Sequence, residues 1–452
     1  MTGIKRLINY LKKNGIKNTA AKVFEYITYR KKAKLYSAEN ALSDAELKAQ
    51  RERRFMRGVK FSVVVPMYNS NPDFLEELIR SVISQTYVNW ELLLIDGSPL
   101  SYTLGEETAM KYLKEDSRVK YRRLGGNLGI SGNTNHGVST SSGEYIVFLD
   151  HDDLLRRDAL YRAAEAIETT GADFLYSDEL NFSETPENIS AVTLKPDFSK
   201  YTLFGINYIG HMCVVKKDLF YKVGGLRSEY DGSQDYDLVL RLSEKAKKIY
   251  HLPYVLYYWR IHSQSVASGI EAKDYCLEKA KDAIKKHLES LEINAEISDI
   301  AGAESAYRLK LDYDKKQKMS LIICFDKSIC SDGSERHFED YMSEIFNVTE
   351  KINVEIITVG GYNIFDRIYN INYPYEYSFT KMANIGARAA RGELLMFIDG
   401  RVIPKEGCLS ELASYCSLED VGCAGGKLVD KRGFIYSLGS RLDPEKILEP
   451  YL

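Results

Sequence analysis

Three carboxylates follow a short apolar run in the stretch EYIVFLDHDDLL (residues 144–155): Asp150, Asp152 and Asp153. Like charges at this spacing repel, and each raises the pKa of its neighbours unless a positive charge lies between them. Because alternate residues at a strand end point to the same side, Asp150 and Asp152 can face one point. Hard divalent cations prefer carboxylate oxygens, so the pattern predicts a Mg²⁺ or Mn²⁺ site at these two residues.

A helix cap is the alternative for this cluster. The next stretch, LLRRDALYRAAEAI, is predicted to be a helix, and Asp152 or Asp153 could cap its first turn, where negative charge is favoured. A cap needs only one carboxylate. Three of them at a strand end therefore favour a metal, with one carboxylate expected to cap.

Two further stretches hold side chains that could do chemistry. In DGSQDYDLVLRL (231–242), Asp235 and Asp237 precede an apolar helical pattern. A carboxylate there could act as a general base that takes a proton from a hydroxyl, and a capping cluster is the alternative. In YYWRIHSQSVAS (257–268), His262 follows an aromatic strand-like run and is either a ligand or a structural histidine.

The stretch GGNLGISGNTNHG (125–137) is rich in Gly, Asn and Ser, which suits close approach of the backbone to a phosphate or a sugar. It lacks the glycine spacing of dinucleotide-binding loops and the GK[ST] of a P-loop. A plain turn is the alternative.

Alternating strands and helices begin at Phe61 and must position these residues. FSVVVPMYN and WELLLIDGS are predicted strands, and PDFLEELIRSVISQTY between them is a predicted amphipathic helix. This alternation indicates an α/β fold with a mostly parallel sheet covered by helices on both faces. Ligands of such sheets lie outside the carboxyl ends of the strands, where residues 66–69, 96–98 and 150–153 all fall.

The chain also repeats itself. NHGVSTSSGEYIVFLD (135–150) and NIGARAARGELLMFID (384–399) share Asn, Gly, Gly-Glu, Phe and the terminal Asp at identical spacing. Two copies of one fold are predicted, with an arm and linker over 1–57, a first domain over 58–310 and a second over 318–452. The second copy replaces the Asp150–Asp152 pair by Asp399 and Arg401, and a cation there would repel a divalent metal.

The second copy is also short. Asp235 lies 85 positions after Asp150, whereas only 53 residues follow Asp399. We expect the second domain to be incomplete and inactive in this chain. It is either a non-catalytic half-domain or the front of a truncated longer protein, and truncation is favoured because a half sheet would leave core surface uncovered.

Charge and composition limit the function classes. Residues 1–36 carry ten Lys and Arg against one acid, although the whole chain has a formal charge of −3. The body is therefore acidic, which does not suit a nucleic-acid partner. Residues 1–35 are predicted to form basic amphipathic helices, which either lie on an anionic membrane surface or pack as a solvated arm.

Cysteine usage and hydropathy indicate the compartment. The seven cysteines are an odd number without a CxxC pair, which favours reduced thiols over disulfides or zinc. No apolar run is long enough to span a bilayer. We expect a cytoplasmic protein, with the basic arm as a candidate peripheral contact on the inner face of the plasma membrane.

Taken as a set, five strings between residues 61 and 268 resemble the inverting glycosyltransferases of family 2, which have the GT-A fold: VVVPMYN, SQTYVNWELLLIDGS, NLGISGNTNHGVSTSSGEYIVFLDHDD, SQDYDL and YWRIH. The strings KPDFS, NYIGHMCVVKKDLF and VGGLRSEYDGSQDYD look further like multi-domain transferases that build bacterial O-antigen and rhamnose-rich polysaccharides.

The resemblance implies a role for each matching residue. Asp235 would be the base, and Asp150, Asp152 and His262 would bind Mn²⁺ or Mg²⁺. The nucleotide-sugar would be bound by the following residues: Pro66, Tyr68, Asn69, Asp96, Asn127, Gly129, Asn135 and Asp150. The donor would be a dTDP- or UDP-sugar, with dTDP-rhamnose one candidate, and the acceptor a hydroxyl of a lipid-linked surface glycan.

Some positions depart from the family pattern. Ile95 precedes a single Asp96 where paired aspartates are common, and Thr134 stands where a basic residue is common. The QxxRW signature of processive synthases does not follow Asp235, which implies addition of one or a few sugars. A non-catalytic module that binds sugar nucleotides or glycans is the alternative from another class, and a nucleotidyltransferase is a further enzyme alternative.

Overall fold

A computed structural model describes residues 41–262, 270–300, 303–327, 335–430, 432–437, 440–441 and 449–450. The described residues fall into two compact units. The first runs to Glu292 and adds Ile297–Leu309, and the second takes in Ile293–Glu296 and the described residues from Lys310 onward. The basic arm predicted over residues 1–35 lies outside the described residues.

The first unit alternates strands and helices, as the sequence predicts. Its helices are α1 (Asp44–Glu52), α2 (Pro72–Ile83), α3 (Leu104–Glu115), α4 (Gly129–Thr140), α5 (Ala159–Thr170), α6 (Lys200–Gly205), α7 (Lys217–Lys222), α8 (Gln234–Lys245) and α9 (Ile270–Ser290). Its strands are β1 (Phe61–Met67), β2 (Trp90–Asp96), β3 (Val119–Arg123), β4 (Tyr145–Phe148), β5 (Leu154–Leu155), β6 (Phe174–Ser183), β7 (Thr185–Thr193), β8 (Cys213–Lys216) and β9 (Ile249–Arg260). β10 (Ala295–Ile300) and β11 (Ala303–Leu311) follow α9 and form a separate two-stranded sheet.

Nine strands form one sheet in the order β3-β2-β1-β4-β8-β6-β9-β5, with β7 added on β6. β1 pairs in parallel with both β2 and β4, and β6 pairs in parallel with β9. Three strands pair antiparallel: β8 between β4 and β6, β7 on β6, and β5 on β9. The predicted α/β fold with helices flanking a mostly parallel sheet is confirmed, and the antiparallel strands β5, β7 and β8 are elements that the sequence pattern did not indicate.

Burial explains why these strands form. β1 and β2 are almost continuously apolar because helices cover both faces of the parallel sheet, and Val63, Leu92 and Val147 have no exposed surface. α2 begins where Asn71 accepts hydrogen bonds from the first-turn amides of Asp73 and Phe74, with Pro72 at the first helical position. Leu78 of α2 is fully buried in the same core.

The sequence predicts an arm and linker over 1–57, but residues 43–58 contain α1 and pack on the rest of the first unit. Ser43 and Glu46 form a reciprocal capping box at the start of α1. Beyond the helix, the Phe55 ring packs edge-on against Tyr87 at 5.2 Å and against Tyr161 at 5.4 Å.

The second unit repeats the first four-strand pattern. It contains β12 (Met319–Cys324), α10 (Glu335–Thr349), β13 (Val354–Val359), β14 (Ile368–Ile371), α11 (Phe379–Ala389), β15 (Leu394–Asp399) and α12 (Cys408–Cys416), and the short pairs β16 (Leu428–Val429) with β17 (Ile435–Ser437) and β18 (Ser440–Arg441) with β19 (Glu449–Pro450). The strand order β14-β13-β12-β15, with parallel pairing throughout, matches β3-β2-β1-β4 of the first unit. The internal repeat seen in the sequence is therefore also a repeat of topology.

Among the described residues, no helix combines the length and the apolar composition needed to cross a bilayer.

Candidate active site

The three clustered carboxylates follow β4 but have three different surroundings. Asp150 is the most open, with 42% of its side-chain surface exposed. The protein around it still desolvates the carboxylate and raises its pKa, an effect that His211 opposes and that the negative charges of Asp152 and Asp235 reinforce. Asp150 is therefore accessible to solvent and lies close to other acidic groups.

Asp152 faces His262. The two side chains are each 20% exposed, and His262 Nε2 lies 2.7 Å from Asp152 Oδ2. The buried side chain of Arg260, which is 1% exposed, stabilises the backbone of the same turn. Its Nε donates to the carbonyl oxygen of Asp152 at 2.7 Å. β9 thus positions both the histidine and the turn that carries the aspartates.

Asp153 is a buried structural group. The Tyr257 hydroxyl donates to its Oδ2 at 2.6 Å, and the Arg260 amide donates to its Oδ1 at 2.7 Å. Burial raises the pKa of Asp153 well above its ordinary value, and the neighbouring Asp150 and Asp152 add to this effect. Asp153 ties the turn after β4 to the end of β9.

The helix-cap prediction for this cluster is wrong. The helix begins at Ala159, where Asp158 is the N-cap residue, and the short strand β5 separates it from Asp153. Leu154 and Leu155 pair with β9 instead of entering the helix.

His211, just before β8, is a residue of the candidate site that the sequence pattern did not indicate. In the antiparallel register of β4 and β8, Phe148 lies opposite Cys213, so continuing two residues outward brings Asp150 toward His211. His211 Nε2 lies 3.8 Å from Asp150 Oδ2, and its ring stacks on Tyr257 at 4.6 Å. Because this proximity depends on a pairing 61 residues apart, no local pattern could indicate it.

The two candidate bases on α8 are clearly distinguished. Asp235, in the first turn, is partly exposed and accepts a hydrogen bond from Asn207 Nδ2 at its Oδ2, at 2.9 Å. Asp237 is 2% exposed and paired with Arg227 and Arg241. The cap residue of α8 is Ser233, and neither aspartate is in that position. Only Asp235 has an accessible carboxylate.

The ends of β1 and β2 lie together, as predicted for parallel neighbours. Pro66 pairs with Ile95, and the amide of Asn69, a residue with φ of 47°, donates to Ser98 Oγ at 2.8 Å. Tyr68 is 47% exposed, so its ring is accessible to a ligand.

Asp96, at the end of β2, has no exposed surface. Its Oδ1 accepts from the Ser98 amide at 2.8 Å, and its Oδ2 accepts from the Tyr121 hydroxyl at 2.8 Å and from Arg123 at 3.4 Å. Both oxygens are therefore already bonded to the protein, which makes Asp96 a support of this strand end; the sequence-based prediction that it contacts a ligand is not tested by these bonds.

The glycine-rich stretch 125–137 is mostly helix, because α4 begins at Gly129. Asn127 Oδ1 accepts from the Gly129 amide at 3.0 Å, and Asp231 Oδ1 accepts from the Ser131 amide at 3.3 Å. Asn135 exchanges two hydrogen bonds with the backbone of Leu226, at 2.8 and 3.0 Å. Several polar groups at the start of α4 are thus already hydrogen-bonded within the protein.

Gly129 illustrates how closely this loop packs. Its φ is +77°, and a Cβ at this position would lie 2.4 Å from Asp231 Oδ2. Only glycine satisfies both conditions, so its place in the sequence is explained by packing as well as by any ligand.

The donor types fit a hard divalent cation. Asp150 and Asp152 supply carboxylate oxygens and His262 an imidazole nitrogen, a set suited to Mn²⁺ and acceptable to Mg²⁺. Desolvation is the main cause of the raised pKa of Asp150, and the charge of Asp152 adds to it. In the described part of the chain, no three such side chains already surround a common point, so coordination would require Asp152 and His262 to exchange their mutual hydrogen bond for the ion.

The second unit has a different arrangement at the matching position. The Arg401 guanidinium donates to Asp399 from Nε at 2.7 Å and from Nη2 at 2.6 Å, the Arg401 amide donates at 2.9 Å, and the Tyr377 hydroxyl donates at 2.5 Å. Hydrogen bonding to Arg401 is the main reason that the pKa of Asp399 falls to about 2. A guanidinium thus neutralises the carboxylate that corresponds to Asp150.

Known proteins are similar to this chain in sequence over the same region. Residues 62–224 match the model of the family described as glycosyl transferase family 2. The uncharacterized protein y4gI of Sinorhizobium fredii is 31% identical over 86% of this chain and 44% of its own length. The O-antigen biosynthesis protein RfbC of Myxococcus xanthus is 27% identical over 85% of this chain and 31% of its own length. The chain thus spans less than half of either relative.

Among solved structures, residues 1–349 of S. aureus TarS in complex with UDP-GlcNAc match 51% of this chain and 71% of that chain, with 18% identity and a TM-score of 0.41. The family of residues 62–224 is shown by their match to the family model, and the structural likeness to TarS is too weak to add to it.

Proposed function

Since residues 62–224 belong to glycosyltransferase family 2, we propose that this chain is a metal-dependent, inverting glycosyltransferase. The observation that carries the proposal is the meeting of two separate carboxylate groups. Asp150 and Asp152 follow β4, whereas Asp235 comes from α8. One loop reaches both groups, because Asn207 donates to Asp235 at 2.9 Å and His211 lies 3.8 Å from Asp150. Asp150 and Asp152 are suited to bind a cation that contacts a diphosphate, and Asp235 is suited to accept a proton.

Each residue then has a task in the transfer. Asp235 takes the proton from an acceptor hydroxyl, whose oxygen forms the new bond to the anomeric carbon from the face opposite the leaving group. The bond between that carbon and the phosphate oxygen breaks, and the nucleoside diphosphate leaves with the electron pair. Attack from the opposite face inverts the anomeric configuration. Asp150, Asp152 and His262 would hold Mn²⁺ or Mg²⁺, which when bound stabilises negative charge on the leaving diphosphate.

The nucleotide would lie against the ends of β1 and β2. Tyr68 offers an exposed aromatic face, and Pro66, Asn69 and Asp96 border the same strand ends. Asn127, Gly129 and Asn135 would act from the loop and first turns of α4. Because protein groups already bond several of their polar atoms, their contribution would be mainly to shape the site.

We further propose that the donor is a dTDP- or UDP-sugar, with dTDP-rhamnose one candidate, and that the acceptor is a lipid-linked glycan of a bacterial surface polysaccharide. The relationship to an O-antigen biosynthesis protein supports this class of acceptor. Contact of residues 1–35 with the inner face of the plasma membrane would place a cytoplasmic enzyme beside such an acceptor.

The test measures the thermal unfolding midpoint of the chain with UDP, dTDP, GDP or CDP, each with and without Mn²⁺. A ligand at 100 times its dissociation constant adds about 2.7 kcal/mol to the free energy of unfolding, and the midpoint then rises by several degrees. We expect a shift for one nucleotide that requires the metal, followed by release of that nucleoside diphosphate from its sugar conjugate.

Three variants sharpen this test. Asp152→Asn should abolish the metal-dependent shift, and Asp235→Asn should keep the shift but lose turnover. Asp399→Asn is the matched control, because Asp399 corresponds to Asp150 in the second unit but is neutralised by Arg401. Retained turnover in Asp235→Asn would place the base elsewhere. A nucleotide shift without any diphosphate release would favour the non-catalytic binding module, and pyrophosphate release would indicate a nucleotidyltransferase.

A further inference from the structure

Loop 207–211, which leads into β8, touches both halves of the candidate site. At one end Asn207 Nδ2 donates to Asp235 Oδ2 at 2.9 Å. At the other end His211 Nε2 lies 3.8 Å from Asp150 Oδ2. The conformation of five consecutive residues therefore sets how the candidate base stands relative to the carboxylates on the donor side.

The orientation of the Asn207 amide follows from its other hydrogen bond. The Gly210 amide donates to Asn207 Oδ1 at 3.4 Å, so the NH₂ group is the end that faces Asp235. An NH₂ group can only donate, and it therefore holds one carboxylate oxygen of Asp235 in place. The loop bonds to itself through the same side chain that orients the base.

A buried ion pair, Lys195 with Glu179, is hydrogen-bonded to the backbone of loop 207–211. Lys195 has 1% of its side chain exposed, and its Nζ lies 3.0 Å from Glu179 Oε2. The same ammonium donates to the carbonyl oxygens of Ile209, at 2.5 Å, and His211. Glu179 Oε2 also accepts from the His211 amide at 3.1 Å. Three backbone groups of the loop are thus bonded to one buried pair.

The space around the pair is tight. Gly210 has a φ of +42°, and a Cβ there would lie 3.2 Å from Glu179 Oε2. Burying an ion pair costs free energy that an apolar pair of similar volume would not. Bonds to three backbone groups of one loop give the pair a specific structural effect, namely a fixed path for residues 209–211.

From this geometry we infer that Lys195 and Glu179 are positioning residues, which hold loop 207–211 so that Asn207 orients Asp235 against the donor-side carboxylates. This inference rests on the proposed function, because it concerns the same site. Its consequence is specific: loosening the loop should lower kcat and leave nucleotide affinity nearly unchanged. A misplacement of about 1 Å is sufficient for a loss of roughly 100-fold.

The experiment compares two perturbations in the full chain. Asn207→Asp keeps the size of the side chain but replaces the donating NH₂ by a carboxylate oxygen. The double variant Lys195→Met with Glu179→Leu replaces the buried pair by apolar side chains of similar volume, which usually preserves folding. Asn353→Asp in the second unit is the control, because it removes a similar amide bond, to the Lys316 carbonyl, far from Asp235 in sequence.

Three measurements are made on each variant. The first is the midpoint shift with each of UDP, dTDP, GDP and CDP plus Mn²⁺. The second is the rate of nucleoside diphosphate release from UDP-glucose, UDP-N-acetylglucosamine, dTDP-rhamnose and GDP-mannose. The third is hydrogen exchange of the amides of residues 207–212.

We expect Asn207→Asp to lose about 10- to 100-fold in kcat with wild-type nucleotide shifts and wild-type exchange. The double variant should show a similar loss with faster exchange at the His211 amide, and the control should show neither. An unchanged kcat in either folded variant, or unchanged exchange in the double variant, would overturn the inference. A wild-type chain that releases no diphosphate from any donor would instead refute the proposed function, and the exchange measurement would still decide whether the pair holds the loop.

Discussion

At the scale of single residues, neighbours in the sequence can have unrelated tasks. Asp150, Asp152 and Asp153 stand within four positions, yet one is open, one pairs with His262 and one is buried against Tyr257 and the Arg260 amide. The repulsion expected within the cluster is thus partly relieved, because Asp153 is buried and bonded to other groups, apart from the accessible Asp150. The charges that remain near each other are those of Asp150 and Asp152.

The buried carboxylate gives a prediction about stability. Asp153→Ala leaves the Tyr257 hydroxyl and the Arg260 amide without their acceptor, and an unsatisfied buried donor costs about 1–3 kcal/mol. We expect a fall of about 3 kcal/mol in the free energy of unfolding, and a smaller fall for Asp153→Asn, which keeps one acceptor oxygen.

Urea unfolding followed by tryptophan fluorescence measures this loss, because both tryptophans of the chain, Trp90 and Trp259, belong to the first unit. Asp218→Ala, at a side chain that is 89% exposed, is the control and should change the free energy by less than about 0.5 kcal/mol. A wild-type midpoint for Asp153→Ala would mean that Asp153 does not hold the turn.

At the scale of elements, the segment before the first strand is part of the fold. Residues 43–58 have the charge density of a linker, but α1 buries Leu47 and Gln50, and Phe55 lies between Tyr87 and Tyr161. A charged composition describes the solvent face of such a segment and conceals the few apolar residues that anchor it.

Substitution of the anchor tests this conclusion. Phe55→Ala removes a ring that packs on two others, and we expect a loss of roughly 1–3 kcal/mol, below the range for a fully buried Phe because Phe55 is only half-buried. Met56→Ala changes the adjacent side chain, which is 97% exposed, and should have no measurable effect. Tryptophan fluorescence in urea is again the measurement, and equal midpoints for the two variants would make the segment a linker after all.

At the scale of the whole molecule, each unit contains the same kind of hydrogen-bonded cluster, made of a serine, a glutamate and a glycine amide. The units also have the same strand order. Ser62 donates to Glu91 at 2.6 Å and accepts from the Gly143 amide at 2.8 Å. Ser320 donates to Glu355 at 2.5 Å and accepts from the Gly392 amide at 2.8 Å. Both clusters join the first two strands of a unit to the start of the fourth.

The cluster predicts a dependence of stability on pH. Burial would raise the pKa of Glu91, but hydrogen bonds from Lys120, Ser62 and Ser142 outweigh it and lower the pKa to about 2. A carboxylate whose pKa is depressed by folding stabilises the fold above its unfolded pKa, and this contribution is lost as the pH falls from about 4.5 toward 2.

Glu91→Gln removes the titrating group. We expect the variant to be on the order of 2 kcal/mol less stable than wild type at neutral pH, with a difference that shrinks steadily below about pH 4.5. Glu115→Gln, at an exposed position of α3, is the control and should show no such convergence. A difference that stays constant from pH 6 to pH 3 would contradict the assigned pKa.

The sequence by itself determined the alternation of strands and helices, the repeat, the strand ends that carry Pro66, Asp96 and Asp150, and the candidate base Asp235. These features are local, because apolar periodicity and residue type are properties of contiguous residues. They were sufficient to predict the fold class and to indicate where a ligand would bind.

Only the tertiary structure decided which carboxylate stays accessible and which residues support it. Asp153 bonds to Tyr257 across 104 positions, and Lys195 and Glu179 are 16 positions apart on either side of β7. His211 meets Asp150 because β8 runs antiparallel beside β4, and the helix expected after Asp153 is displaced by a strand that pairs with β9. Such contacts depend on strand register between distant segments, and a chain specifies register through packing of the whole sheet and not through any one stretch of residues.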